Sequence, residues 1–135
     1  MASCLVTVHK GYIGSRLVKQ LQLEGHEVLC IDLIEDIPKD INVYLPEDND
    51  GKFHPHYFNV KPEYIVHLTC IPRVAYSVEE AVKTCKNNIL AGSNVLNFAR
   101  KVGSVKRVIY SSSSSVVGNG DGPASPYALQ KYTTE

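Results

Sequence analysis

Basic and acidic side chains cancel in this 135-residue chain: 14 lysines and arginines face 14 aspartates and glutamates, for a formal net charge of +0. With no basic surplus there is no electrostatic footprint for nucleic acid or an anionic membrane, and neither is expected as a partner. Apolar residues make up 44% of the chain but fall in short stretches interrupted by charge. None approaches the ~20 consecutive apolar residues of a membrane-spanning helix. The first residues also lack the basic and apolar regions of a secretory signal, so the expected location is the cytoplasm. Cys4, Cys30, Cys70 and Cys85 contain no Cys-x-x-Cys pair, which removes the usual spacing of a zinc site or a dithiol exchanger. They are expected as reduced thiols packed as small hydrophobes. His54 and His56 flank Pro55 with no carboxylate or thiol at ligand spacing, so no metal is expected there. The length suits one domain with a real core and is short for a two-domain enzyme.

Against these absences stands a clear order of apolar segments. Cys4-Leu5-Val6-Thr7-Val8 reads as a strand and runs directly into His9-Lys10-Gly11-Tyr12-Ile13-Gly14. Leu17, Val18 and Leu21 then recur at helical spacing beside Ile13, until Gly25 supplies a stop. Strand, glycine loop and helix together open a dinucleotide-binding unit. Glycines let the backbone approach a pyrophosphate, and the helix N-terminus offers free N–H groups. His26 to Asp32 is a second strand ending in a carboxylate eighteen residues beyond Gly14. An acid there suits the adenosine ribose hydroxyls and repels a 2′-phosphate, which favours NAD over NADP; a plain strand-end role for Asp32 is the alternative.

Residues 33–56 read as an irregular excursion rich in Pro, Asp, Asn and Glu, followed by a short strand at Tyr57–Val60 and another at Glu63–Cys70. His67 is expected as a hydrogen-bonded core histidine. Ser77 to Val102 reads as one long helix with Val78, Val82, Ile89, Leu96 and Ala99 on its apolar face and Gly103 ending it. Lys106 to Tyr110 then begins a strand that delivers five consecutive serines, Ser111 to Ser115. A flexible linker is the low-complexity reading of that tract, but the apolar strand before it and Val116-Val117-Gly118 after it argue for a strand end opening onto a crevice. After a glycine and proline loop, Ser125 can cap and Pro126 can begin a helix that carries Tyr127 and Lys131 one turn apart. A phenol with an ordinary pKa near ~10 is a poor base at neutral pH; a nearby ammonium favours the phenolate, and a serine hydroxyl can polarise a reacting oxygen. Serine, tyrosine and lysine together suit hydride transfer at an alcohol or ketone.

On these residues the chain resembles the extended short-chain dehydrogenase/reductases, and within them the nucleotide-sugar epimerases. The resemblance runs from about Leu5 to the last residue and matches only the front half of such an enzyme. It implies a partial NAD(P)-binding Rossmann domain over residues 1–135, an α/β doubly wound parallel sheet of about five strands, with the C-terminal substrate domain absent. Gly11 and Gly14 match the family's second and third loop glycines around Tyr12 and Ile13, while Val8 stands where the first belongs. A β-branched residue at that position either crowds the phosphate or strains the turn, at roughly 1–3 kcal/mol. His9 and Lys10 either bring positive charge to the phosphates or are solvated.

Asn59-Val60 replaces the family's Asp-Ile or Asp-Val pair at adenine, and His67-Leu68-Thr69-Cys70 resembles its His-Leu-Ala-Ala segment, so Leu68 and Thr69 border the cofactor. Arg73 is either a cofactor contact or solvated surface. Asn88 matches the asparagine that supports the catalytic tyrosine and lysine. Ser111 and Ser112 lie beside the cofactor, and Ser113 takes the catalytic serine position.

In the implied reaction Tyr127 removes a sugar hydroxyl proton as hydride passes to NAD, and the ketone then takes hydride back on its other face. Lys131 lowers the tyrosine pKa and contacts the nicotinamide ribose, while Ser113 hydrogen-bonds the reacting oxygen. Ser114 and Ser115 stand where the family's dehydratases carry Asp-Glu, which favours an epimerase or simple reductase acting on a UDP-sugar-like nucleotide sugar. The strands the resemblance leaves out predict exposed apolar surface and hence a homo-oligomer, or a piece of a longer reading frame. The rival reading is a non-catalytic nucleotide-binding or interaction module, favoured by Val8 and by a loop between Ser113 and Tyr127 that is shorter than the family's.

Overall fold

The short β-branched segments become strands: Ser3–Thr7 (β1), Glu27–Ile31 (β2), Tyr64–His67 (β3) and Arg107–Tyr110 (β4). In a computed structural model that describes residues 1–31 and 61–135, these four form one parallel sheet in the order β2-β1-β3-β4. Leu5 stands level with Leu29 on one side and Ile65 on the other, and Ile65 in turn with Val108. Central β1 is buried from Cys4 through Thr7, as a parallel strand covered on both faces should be. The chain passes from β1 to β2 and then returns across β1 to β3. The strand order therefore reverses between β1 and β3, and a ligand crevice is expected outside the carboxyl ends there. The glycine loop, residues 68–73 and the serine tract all leave the sheet at that edge. Four strands lie among the described residues. The strand expected at Tyr57–Val60 falls outside them, as do Asp32, His54, His56, Asn59 and Val60.

The helices depart from the sequence reading in two places. Tyr12–Leu23 (α1) forms as expected, with Leu17, Val18 and Leu21 half-buried, but Ile13 is 61% exposed instead of joining them. The single helix expected over Ser77–Val102 is interrupted. Val74–Glu79 (α2) ends at Glu80, whose φ of −119° and ψ of 50° leave the helical region; Ala81–Cys85 (α3) follows, then a π-turn over Lys86–Leu90, then Ala91–Val102 (α4). The break and the wide turn shift the helical phase, so the buried side is Ser77, Thr84, Asn88, Val95 and Phe98. Val78, Val82 and Leu96, read as the apolar face, are exposed. Apolar periodicity misled because the polar residues on the inward side find partners in the last helix, Pro126–Thr134 (α5).

Leu5, Ile31, Ile65, Val95 and Phe98 form the core between the sheet and α4, and Gly103 ends α4 in the left-handed conformation at φ 69°. All four cysteines are free; Cys4 is buried and Cys30 and Cys70 are half-buried, but Cys85 sits on the exposed side of α3 and does not pack as a core residue.

Candidate active site

The β1–α1 turn is built around a close backbone approach. A Cβ at Gly14 would lie 2.1 Å from the Val8 carbonyl oxygen, so no other residue fits there without moving the loop. The Gly11 N–H donates to that same carbonyl at 3.1 Å. Val8 itself holds a φ of 55°, the left-handed region that a β-branched residue occupies only under strain. Its Cγ1 lies 2.9 Å from where a Gly11 Cβ would be, so the valine side chain faces the glycine that should approach a phosphate. No side chain caps α1, and the first-turn N–H groups, which have no intrahelical acceptor, remain available as donors. Backbone donors, a glycine that admits no Cβ and a positive dipole end suit the pyrophosphate of a dinucleotide, with Val8 as the one residue that crowds it. The Tyr12 and Ile13 side chains are both exposed, and the Tyr12 ring lies under the Arg16 guanidinium at 3.8 Å.

Across the crevice, Thr7 at the end of β1 shapes the segment after β3. Its hydroxyl accepts from the N–H groups of Leu68 at 2.8 Å and Thr69 at 3.1 Å, and lies 3.3 Å from His67 Nδ1. His67 is buried and stacks on Tyr110 with ring centres 5.6 Å apart, and its Nε2 has no hydrogen-bond partner among the described residues. Burial, with help from the Lys131 charge, pushes its pKa down to about 4, so the ring is neutral at pH 7. The expected core histidine is therefore only half hydrogen-bonded. Arg73 stands exposed at the N-terminus of α2.

β4 delivers Ser111 to Ser113, and a short 3₁₀ turn over Ser114–Val116 follows, the Ser115 N–H capped by the Ser113 hydroxyl. Ser125 caps α5 by accepting from the Ala128 N–H, and Pro126 fills the first turn, as the sequence suggests. Tyr127 and Lys131 lie on one buried side of α5. The Ser113 hydroxyl and the Cys70 thiol both lie beside the Tyr127 phenol, and Cys70 lies beside Lys131 as well. The Lys131 ammonium donates to the Ser111 carbonyl at 2.5 Å and lies 4.9 Å from the Tyr110 ring centre.

The electrostatics differ from expectation. Burial pushes the Tyr127 phenol above its ordinary value, the Ser113 hydrogen bond only partly offsetting it, and the Lys131 charge acts instead on Cys70 and His67. Burial likewise raises the Cys70 thiol, against the pull of Lys131. Ser112 is exposed and bonds the Glu135 carboxylate.

Asn88 belongs to a buried network that the sequence reading did not anticipate. Its Oδ1 accepts from the Ile71 N–H at 2.8 Å, and its Nδ2 donates to Gln130 Oε1 at 2.8 Å. Ser77 Oγ accepts from the Tyr127 N–H at 3.0 Å. Ser77, Thr84 and Gln130 carry no motif. The one signal for the helix residues was their polarity on the side of Asn88, opposite the apolar positions.

Residues 4–135 match the model of the NAD dependent epimerase/dehydratase family. Protein CapI of Staphylococcus aureus is 32% identical over 97% of this chain and 47% of its own length. Among solved structures, UDP-glucose 4-epimerase of Thermotoga maritima with UDP-glucose superposes with a TM-score of 0.79 at 27% identity, covering 98% of this chain and 48% of that one. UDP-glucose 4-epimerase of Thermus thermophilus in complex with NAD gives 0.79 at 28% identity, with 98% and 48% covered. The chain thus spans about half the length of these relatives. Because the family match takes in the glycine loop, the serine tract and the Tyr-x-x-x-Lys helix alike, the chain belongs to the NAD-dependent epimerase/dehydratase family.

Proposed function

We propose that the chain is the cofactor-binding half of an NAD-dependent epimerase or reductase acting on a UDP-sugar-like nucleotide sugar. The observation that carries this reading is that Ser113 lies beside the Tyr127 phenol, with Lys131 one turn further along the same buried side of α5, at the sheet edge that also carries the glycine loop. NAD is the cofactor; Gly11, Tyr12, Ile13 and Gly14 hold its pyrophosphate through backbone, Asp32 its adenosine ribose, and Asn59 and Val60 its adenine. Leu68, Thr69, Arg73, Ser111, Ser112 and Lys131 border the remainder. Bound NAD supplies a reversible hydride acceptor.

The chain's own residues supply the proton chemistry. Tyr127, a phenol whose pKa burial raises, gives its proton to a carbonyl oxygen in the reducing direction and recovers it from a hydroxyl in the oxidising one. The Ser113 hydroxyl has one proton to donate, and gives that hydrogen bond to the reacting oxygen. Lys131 fixes the Ser111 backbone against α5. We further place the protein in the cytoplasm as a homo-oligomer.

NADH fluorescence titration tests binding, and an epimerase assay with UDP-sugars tests turnover. Tyr127→Phe should leave NADH affinity unchanged and cut turnover by about 10²–10⁴-fold. Wild-type turnover unaffected by that substitution would remove the proposed chemistry. The strained Val8 facing Gly11 favours a second reading, a nucleotide-binding module without turnover. Binding with no turnover selects it.

A further inference from the structure

α5 is seated on a stripe of polar and small residues, although apolar residues were available. From its start to its end, the Tyr127 N–H meets Ser77, Gln130 meets Thr84 and Asn88, and Thr134 packs on Gly92, where a Cβ would come within 2.4 Å of the Thr134 methyl. At the middle of this seam Gln130, Thr84 and Asn88 are 4%, 0% and 2% exposed. The hydrogen bonds between them run in one direction. The Ile71 N–H requires an acceptor, which makes Asn88 Oδ1 the atom facing it and turns Nδ2 toward Gln130 Oε1. Gln130 Nε2 is thereby left to donate to Thr84 Oγ1 at 3.0 Å, and the threonine hydroxyl passes its own proton back to the carbonyls of Glu80 and Ala81. Rotating the Gln130 amide would set two donors against each other at Asn88, so the orientation is unique.

We propose that Gln130, held by Thr84 and Asn88, is a positioning residue: it sets the roll of α5 and thereby where Tyr127 and Lys131 face. Tyr127 and Lys131, four residues apart, share one side of α5, and Gln130 is rotated by about 100° from its neighbour Lys131. A turn of the helix about its axis therefore moves both reactive groups together and breaks the Gln130 contacts first. Through Asn88 the same amide ties α5 to Ile71, beside the Cys70 that adjoins Tyr127 and Lys131, so the two walls of the crevice share one anchor. This rests on reading Tyr127 and Lys131 as the reacting pair, and the test separates the two.

The measurement is the titration of the Tyr127 ring by NMR on the 135-residue chain, its resonance identified by loss in Tyr127→Phe, in wild type, Gln130→Met, Thr84→Val and Thr84→Ser. Circular dichroism establishes that each variant is folded. In Gln130→Met and Thr84→Val the loosened helix admits water, and Tyr127 titrates nearer to free tyrosine, at about 10. Thr84→Ser keeps the hydroxyl and titrates as wild type. Folded Gln130→Met and Thr84→Val variants with an unchanged Tyr127 titration overturn the proposal. If Gln130→Met fails to fold, Thr84→Val decides alone, a moved midpoint supporting the role and a fixed one ending it. Wild type that binds no NADH overturns the proposed function and leaves this titration readable.

Discussion

Val8 concentrates the question of activity in one side chain. Its φ of 55° places a β-branched residue in a conformation suited to glycine, and its methyl faces Gly11. Val8→Gly should stabilise the chain by about 1 kcal/mol in chemical denaturation, the strain of roughly 1–3 kcal/mol being partly offset by lost packing and added chain entropy. The same substitution should tighten NADH binding. Gly14→Ala acts in the opposite direction: its methyl meets the Val8 carbonyl, and a loss of about 1–3 kcal/mol is expected in the same experiment. His67 adds a pH dependence. Its pKa is about 4 in the folded chain against an ordinary 6.5, so as pH falls through this window the unfolded state takes up a proton that the folded state refuses. Stability is unaffected by this group above that window and declines by about 3 kcal/mol across it, a slope that His67→Gln should remove in urea melts at pH 7 and pH 4.

Among the elements, α5 was the most legible and the helical stretch before it the least. Ser125, Pro126 and the Tyr127–Lys131 spacing announce a capped helix with two groups on one face, because capping and i,i+4 geometry are local. Ser125→Ala should therefore cost about 1 kcal/mol in thermal unfolding. The stretch from Val74 to Val102 misled for a nonlocal reason. Glu80 breaks the helix and a π-turn surrounds Asn88, which brings Ser77, Thr84 and Asn88 inward toward partners that lie 42 to 50 residues away in sequence. Polar residues with such partners read as surface when viewed alone, and so Val78, Val82 and Leu96 were assigned to the wrong side.

For the molecule as a whole, the parallel order β2-β1-β3-β4 gathers three loops at one edge and leaves β4 with a single strand neighbour among the described residues. Ile109 on that strand is 49% exposed. Exposed apolar side chains beside an open sheet edge favour association. Light scattering on the purified chain is expected to give at least twice the mass of one copy, and a stable monomer would count against the proposed oligomer. No helix among the described residues is long and apolar enough to cross a membrane, and no group of three or more histidine, cysteine or acidic side chains among them is arranged to hold a metal ion.

The strand segments among the described residues, the glycine turn and the serine–tyrosine–lysine spacing were contained in the amino-acid sequence, because each depends on periodicity or on backbone demands within a few residues. The direction of the Tyr127 pKa shift, the bond that turns Lys131 onto Ser111 and the Ser77–Thr84–Asn88–Gln130 seam came from the folded chain alone. Burial and hydrogen-bond pairing are properties of segments brought together across the chain, and no local pattern encodes which polar group will meet which.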